Sequence, residues 1–300
     1  MRLLYLGLPL GALCLTASGH VPAAVGIGHR HAPGTRRLRR QLGARGVPLL
    51  GRPDLHDAGV VRALESTRPD VILSWFWPQR IPASVLALAP GGAFGVHPSL
   101  LPRWRGPDPY FWAIANGDAR TGVSLHRLTA EYDRGDVIAR HEVPIDGRDD
   151  AWSLARKLDR PGLALLLACA RTAAAGLPQA GEAQDATQAT WAPAPSPEQL
   201  AVDWHRSTVE VARLIRAAAP WPGATAQLGD TEVEVTRARA LGVAPPRALR
   251  VAEAWATPEG PAVRTGDGAV VLLEGRAGDR TLNGTELWAL VSGADPGQRR

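Results

Sequence analysis

Lysine, cysteine and long apolar runs are scarce in this 300-residue chain. Lys157 is the only lysine, so arginine supplies nearly all of the positive charge, and the net charge is +5. Abundant arginine and alanine are typical of a GC-rich genome, which makes the basic balance weak support for a nucleic-acid partner. No segment has the roughly 18–20 uninterrupted apolar residues of a membrane-spanning helix, so no membrane partner is expected.

The two cysteines, Cys14 and Cys169, are too few and too far apart for a disulfide framework or a metal site. They fit a reducing compartment, and we expect a cytoplasmic protein. The first nineteen residues have the arginine, apolar run and small residues of a secretory signal. They also fit a strand at Arg2–Leu6 and a helix at 10–18. This second interpretation is favoured because another strand follows at Val21–Gly28.

Short apolar runs alternate with helical patterns over the first hundred residues. This alternation predicts an α/β fold with a Rossmann-like, mostly parallel sheet. The predicted strands are Arg2–Leu6, Val21–Gly28, Val47–Leu50, Val71–Trp75 and Ala93–His97, with helices near 10–18, 35–45, 57–66 and 82–88. The glycine fingerprint G-x-G-x-x-G is missing after the first strand, so a dinucleotide-dependent enzyme is only a third alternative.

The remainder of the chain is divided by a segment rich in alanine, proline, glutamine and serine. A long helix at Ala151–Ala175 precedes this segment, and an amphipathic helix at Ser207–Ala219 follows it. The later β-like runs, among them Arg250–Trp255, favour a small antiparallel β-barrel. We therefore predict three regions: a first domain at 1–178, a linker at 179–202 and a C-terminal domain at 203–300.

Two predicted loops carry the candidate catalytic groups. His97 ends a predicted parallel strand, at the edge where open α/β sheets bind ligands. Asp133 lies in a loop between the predicted strands Gly122–Leu128 and Asp136–Val143. Such a pair can take a proton from an attacking amine and pass it to a leaving nitrogen. Each residue alone also has a structural interpretation, as a strand-end histidine or a turn aspartate.

The order of motifs from 95 to 135 resembles the folate-dependent formyltransferases. That family shows Asn-x-His, Ser-Leu-Leu-Pro, Arg-Gly, Thr-Gly-Val and Asp-x-Gly. The corresponding pieces here are Gly95-Val96-His97, Ser99-Leu100-Leu101-Pro102, Arg105-Gly106, Thr121-Gly122-Val123 and Asp133-Arg134-Gly135. Further pieces, Asp203-Trp204 and Pro220-Trp221-Pro222-Gly223, resemble the C-terminal domain of the family's methionyl-tRNA and sugar-nucleotide branches.

The resemblance implies a formyltransferase fold with an OB-like C-terminal barrel, and 10-formyltetrahydrofolate as co-substrate. It implies catalytic roles for His97 and Asp133. The residues expected to bind folate are those of the apolar loop and the preceding strand: Ser99, Leu100, Leu101, Pro102 and Gly95. The residues expected to bind the acceptor are arginines: Arg36, Arg37, Arg39, Arg40, Arg103 and Arg105. For the first four, a solvated helix face is the alternative.

Gly95 departs from the family pattern, because it replaces the asparagine that donates to the developing oxyanion. Loss of one such donor typically costs about 10²–10³ in kcat. Another donor, such as Ser99, His126 or a main-chain N–H, can replace it, or turnover is slow. The remaining alternative is a homologue that binds folate or RNA without catalysis.

The predicted function is transfer of a formyl group from 10-formyltetrahydrofolate to a primary amine. The amino group of methionyl-tRNA is slightly favoured, by the arginines and by Trp104-Arg105-Gly106. An amino-sugar nucleotide is the alternative, favoured by the segment Ser124–Leu128. The expected partners are therefore folate and either initiator tRNA or an amino-sugar nucleotide, and the sequence leaves the oligomeric state open.

Overall fold

The computed structural model describes residues 1–29, 31–228 and 230–292. The chain forms two compact units, each made of three segments. The first unit contains Met1–Pro109, Thr121–Val143 and Lys157–Ala192. The second contains Tyr110–Arg120, Pro144–Arg156 and the chain from Pro193 onward. Because this division interleaves the units along the chain, the domain limits expected from the sequence stay a prediction.

The first unit is built on a seven-stranded sheet. Its strands are β1 (Leu3–Gly7), β2 (Ala24–Ile27), β3 (Leu49–Gly51), β4 (Val71–Trp75), β5 (Ala93–His97), β6 (Arg120–Arg127) and β7 (Val137–Pro144). The strand order is β3-β2-β1-β4-β5-β6-β7. The first five strands pair in parallel, whereas β6 pairs antiparallel with β5. The predicted α/β fold with a mostly parallel sheet is therefore confirmed.

Burial explains why the central strands were recognisable in the sequence. Every residue of β1, β4 and β5 is buried, as expected for parallel strands covered on both faces. The predicted strand Val21–Gly28 is shorter in the structure, where β2 covers Ala24–Ile27 and Pro22, which has no N–H to donate, lies outside it. The segment that resembles a secretory signal forms β1 and the helix that follows it.

Six helices accompany the sheet in the chain. They are α1 (Pro9–Ala17), α2 (Thr35–Gly43), α3 (Ala58–Ser66), α4 (Ala83–Leu86), α5 (Pro109–Ala115) and α6 (Ala151–Ala174). Asp57 caps α3 by accepting a hydrogen bond from the Val60 N–H. Over the residues that the structure describes, no helix combines the length and apolar character needed to cross a bilayer.

The second unit is built on a mostly antiparallel arrangement of short strands. Its elements are α7 (Pro197–Leu200), α8 (Thr208–Ala218), β8 (Ala224–Leu228), β9 (Thr231–Ala240), β10 (Ala254–Thr257), β11 (Gly260–Arg264), β12 (Ala269–Ala277), β13 (Arg280–Asn283) and α9 (Gly284–Ser292). The strand order is β10-β11-β12-β9-β8, and β13 pairs with β12. This order confirms a second, antiparallel sheet, while closure into an OB-like barrel stays a prediction.

One predicted strand of this unit is largely a turn. The run Arg250–Trp255 contributes only its last two residues to β10. The Arg250 N–H donates to the Glu253 carboxylate at 2.8 Å, and this local hydrogen bond closes a turn where the sequence pattern indicated a strand.

The segment expected to be a linker packs against the first unit up to Ala192. Glu182 forms an isolated bridge with Val137, and Trp191 forms another with Arg105. The Thr190 carbonyl accepts a hydrogen bond from the Arg105 N–H at 2.9 Å. Backbone pairing, rather than apolar burial, therefore holds this polar segment in place, and composition alone does not reveal it.

Candidate active site

The β5–β6 pair brings two histidines to one face of the sheet. In its register, Ser124 lies opposite His97 and His126 lies opposite Gly95. Residues paired across two strands share a face, and so do residues two apart along one strand. The two imidazole rings are 6.4 Å apart between centroids, with planes 88° apart.

Asp133 contacts both histidines from the loop after β6. Its Oδ2 lies 3.5 Å from Nδ1 of His97, and its Oδ1 lies 3.4 Å from Nε2 of His126. The Gly106 N–H donates to Oδ2 at 2.9 Å. The side-chain exposures of His97, His126 and Asp133 are 8%, 3% and 13%, so water screens these contacts little. The structure thus brings the predicted pair together and adds a second histidine.

The far nitrogen of each imidazole faces a main-chain carbonyl. Nε2 of His97 lies 2.8 Å from the Trp104 oxygen, and Nδ1 of His126 lies 3.0 Å from the Arg127 oxygen. A carbonyl oxygen only accepts hydrogen bonds, so each ring donates its N–H there. When such a ring is neutral, its other nitrogen, which faces Asp133, carries a lone pair.

Burial controls the charge of His126. Loss of hydration lowers the pKa of His126 to about 4, although the Asp133 carboxylate raises it. The neighbouring His97 and Arg105 also lower it. His126 is consequently neutral near pH 7, and its contact with Asp133 is not an ion pair.

Gln184 fastens the main chain of the Asp133 loop. Its Nε2 donates to the carbonyls of Asp133 and Gly135, at 2.7 Å each. Its Oε1 accepts from Nε and Nη2 of Arg105, at 3.1 and 2.8 Å. Asp133 has φ +52°, a left-handed conformation that costs free energy in a residue other than glycine. These bonds help to hold that conformation, and no motif in the sequence marks Gln184.

Hydrogen bonds fix the predicted folate-binding loop. The Ser99 hydroxyl donates to the Arg103 carbonyl at 2.6 Å, so this hydroxyl is already committed. The Ser124 hydroxyl donates to the Ser99 carbonyl and accepts from the Leu101 N–H, at 2.7 and 3.0 Å. Arg140 Nε donates to the Leu101 carbonyl at 3.0 Å. The loop is thus rigidly supported next to His97.

The apolar residues of this loop differ in burial. Leu101 is buried at 1% exposure, whereas Leu100 and Pro102 are partly exposed. Gly106, at the end of the loop, has φ +114°, and a Cβ there would lie 2.8 Å from the Ala192 carbonyl oxygen. Glycine is therefore required at 106, because a side chain would strain the turn and displace the packed segment.

The space beside Gly95 is already occupied. A Cβ at this position would lie 2.7 Å from Cδ2 of Leu128 and 3.5 Å from Nε2 of His126. An asparagine side chain would extend further into the same region. A larger residue at 95 would therefore require the Leu128 side chain to shift.

The predicted acceptor-binding arginines fall into two environments. Arg36, Arg37, Arg39 and Arg40 are exposed on α2, while its Leu38 and Leu42 are buried. We call these four the α2 arginine face. Arg103 places its guanidinium 4.5 Å from the Trp104 ring centroid, and Arg105 is buried at 8% exposure. Arg105 thus has an internal partner, and its predicted role toward the acceptor stays a prediction.

A buried carboxylate held between two histidines, at the carboxyl edge of a parallel sheet, defines a site suited to proton transfer. The family is shown by two family models. The formyl transferase model matches residues 29–169, and the model of the formyl transferase C-terminal domain matches residues 195–291. The chain belongs to the formyl transferase family.

Solved structures share its fold. HypX from Aquifex aeolicus, in complex with tetrahydrofolic acid, is 24% identical with a TM-score of 0.68. The match covers 98% of this chain and 47% of HypX, so the chain spans about half the length of that protein. A second match is a likely sugar N-formyltransferase from Mycobacterium tuberculosis, with 23% identity, a TM-score of 0.57, and coverage of 75% and 91%.

A third match binds a nucleotide-linked amino sugar. It is an N-formyltransferase from Helicobacter canadensis in complex with folinic acid and dTDP-3-aminofucose. Its identity is 12%, its TM-score is 0.68, and the match covers 91% of this chain and 98% of that protein.

Proposed function

We propose that this protein transfers a formyl group from 10-formyltetrahydrofolate to a primary amine, with His97 and Asp133 as its catalytic residues. The observation that carries the proposal is the 3.5 Å approach of these two side chains. Both lie within the region that matches the formyl transferase model. The tetrahydrofolic acid bound by HypX and the folinic acid bound by the Helicobacter enzyme support a folate donor.

The reaction moves a proton from the amine to the folate nitrogen, and no proton is released overall. The amine nitrogen attacks the formyl carbon, and the bond from that carbon to the folate nitrogen then breaks. The amine loses one proton and the folate nitrogen gains one. Two neutral imidazoles would present only lone pairs to Asp133, so the His97–Asp133 pair is favourable when it holds a proton between them. That proton is available to the leaving nitrogen.

A main-chain N–H is our proposed donor to the oxyanion in place of the asparagine at 95. Among the donors that the sequence suggested, the Ser99 hydroxyl donates to Arg103, and His126 directs its N–H to Arg127. We propose that Leu100, Leu101 and Pro102, with Ser99, form one wall of the folate site.

For the acceptor, we place an amino-sugar nucleotide first. Its support is the dTDP-3-aminofucose bound by the Helicobacter enzyme, together with the segment Ser124–Leu128. Methionyl-tRNA, which the sequence slightly favoured, is the second candidate, because the α2 arginine face is exposed and basic. A cytoplasmic location remains part of this proposal.

The test is a side-by-side assay of the two amine classes. Purified protein is given 10-formyltetrahydrofolate with either a dTDP-amino sugar or methionyl-tRNA, and tetrahydrofolate release and formylated product are measured. We expect product with at least one class, formed at least about 100-fold more slowly by Asp133→Ala. Folate binding without product from a range of both acceptor classes would instead support the non-catalytic alternative.

A further inference from the structure

We propose that His126 is a positioning residue of this site: its Nε2 accepts a hydrogen bond from the proton that Asp133 holds in the resting protein. The inference rests on the proposed function for its role in turnover. Its structural part, a hydrogen bond between Asp133 and His126, can be measured in the resting protein. It adds a third group to the pair that the sequence indicated.

The orientation of His126 is the first argument. Its Nδ1–H is directed to the Arg127 carbonyl at 3.0 Å, which leaves a lone pair on Nε2. That lone pair lies 3.4 Å from Oδ1 of Asp133. An ionised carboxylate also presents lone pairs at Oδ1, so Nε2 and Oδ1 would repel each other. They attract each other only when a proton sits on Oδ1.

The charges around His126 keep it an acceptor. The groups that act on it are Asp133, His97 and Arg105. Burial outweighs the attraction of Asp133, and the other two groups oppose a positive charge on the ring. A neutral imidazole can hold the proton of Asp133 in a hydrogen bond without capturing it.

Gly95 lies on the same face of the sheet as this arrangement. Gly95 is the cross-strand neighbour of His126, and a Cβ there would stand 3.5 Å from Nε2. An asparagine at 95 would bring its amide into the region that the imidazole occupies. The position of the family asparagine therefore adjoins His126 in this chain.

The reaction gives the proton a reason to be stored. The amine releases its proton as the new C–N bond forms, and the folate nitrogen takes one up as the old C–N bond breaks. Asp133 gives its proton to the folate nitrogen and regains one from the amine nitrogen, so the carboxyl holds a proton before and after the transfer. His97 faces Oδ2 and His126 faces Oδ1, so a proton on Oδ2 bonds to His97 and a proton on Oδ1 bonds to His126, one contact at a time.

The structural part is tested by NMR on protein labelled with ¹⁵N-histidine. In the wild type we expect the His126 signals of a neutral ring protonated at Nδ1, and a shift of its Nε2 signal in Asp133→Asn, where an amide N–H replaces the shared proton. An Nε2 signal that is the same in both proteins would overturn the proposal. This measurement needs neither turnover nor a His126 variant that folds.

The role in turnover is tested by His126→Gln and His126→Asn. Glutamine can extend an amide toward Asp133 but cannot titrate, and asparagine replaces only the Nδ1 end. We expect kcat to fall about tenfold in His126→Asn and less in His126→Gln, with KM little changed and the pH–rate profile altered in both. The matched control is His141→Gln, which changes an exposed histidine of β7. It should alter neither kcat nor the pH–rate profile.

The possible results separate the two proposals. A wild type that lacks activity while the NMR shift is present would count against the proposed function and leave the hydrogen bond standing. Active, folded His126 variants whose pH–rate profiles superimpose on that of the wild type would overturn the positioning role alone.

Discussion

The region around Asp133 and the α2 arginine face both contain charged side chains, but these are largely buried in the first region and exposed in the second. Around Asp133, charged and polar groups are buried and each has a protein partner, as Arg105 has in Gln184. On α2, four arginines face water on one helix. The buried set can fix geometry and protonation, whereas the exposed set can contribute long-range attraction that salt weakens.

The largest effect should come from removing the pair that holds the proton. We expect His97→Ala and Asp133→Ala each to lower kcat by about 10²–10⁴-fold, the usual contribution of a general acid or base. Steady-state kinetics with whichever acceptor the side-by-side assay identifies measures this loss. Circular dichroism should show an unchanged fold; a variant that unfolds would point to a structural role for that residue instead.

Acid should destabilise the protein through His126. Its pKa is 6.5 in the unfolded chain and about 4 when folded, so the unfolded state binds more protons between these values. Stability conferred by a neutral His126 is therefore present above pH 6.5 and is lost as the pH falls toward 4, by about 3 kcal/mol in all.

Denaturant unfolding at a series of pH values, compared between wild type and His126→Gln, measures this term. The variant should lose less stability on acidification, because glutamine does not titrate. Equal losses in both proteins would show that His126 is not the titrating group.

The next largest loss of activity should come from Gln184. Gln184→Ala removes both bonds to the Asp133 loop and leaves Arg105 without its amide partner, so we expect kcat to fall about 10–100-fold. Gln188→Ala, an exposed glutamine of the same segment, is the matched control. Kinetics that are alike for the two variants would mean that the loop keeps its shape without Gln184.

The smallest effect should come from the arginine face. If the acceptor is tRNA, Arg36→Gln with Arg40→Gln should raise its KM about tenfold at low salt and leave kcat unchanged, because phosphate contacts are electrostatic. The control variant carries Arg62→Gln with Arg68→Gln, which neutralises two exposed arginines outside α2. A dTDP-amino sugar should respond less to either pair, so the ratio of the two KM changes distinguishes the acceptors.

The parallel sheet was predictable because its strands are continuous apolar runs. Val71–Trp75 and Ala93–His97 match β4 and β5 residue for residue. The expectation that His97 and Asp133 approach each other came from the family resemblance and from the strand-end position of His97. Both kinds of signal are local in sequence, which is why they were readable.

The remaining features depend on contacts between distant residues. Gln184 is 51 residues from Asp133, and its segment has the composition of a linker. The sequence named His126 as a possible donor, but its tautomer follows from the Arg127 carbonyl and its partner from the strand register. Strands such as β11 and β13 are short and contain turn-forming neighbours, so their pairing with β12 was not visible.

Residues 179–192 belong to the first unit, so a fragment that ends before them would lose part of that unit. A chain cut after residue 178 would retain the imidazole at 97 and the carboxylate at 133. It would lack Gln184, whose side-chain amide donates to the Asp133 loop. It would also lack the Thr190 hydroxyl, which accepts from the Trp104 N–H at 2.8 Å, and the Ala192 carbonyl, which accepts from the Asp108 N–H. The smallest piece that preserves the chemistry is therefore longer than the piece that contains the motifs.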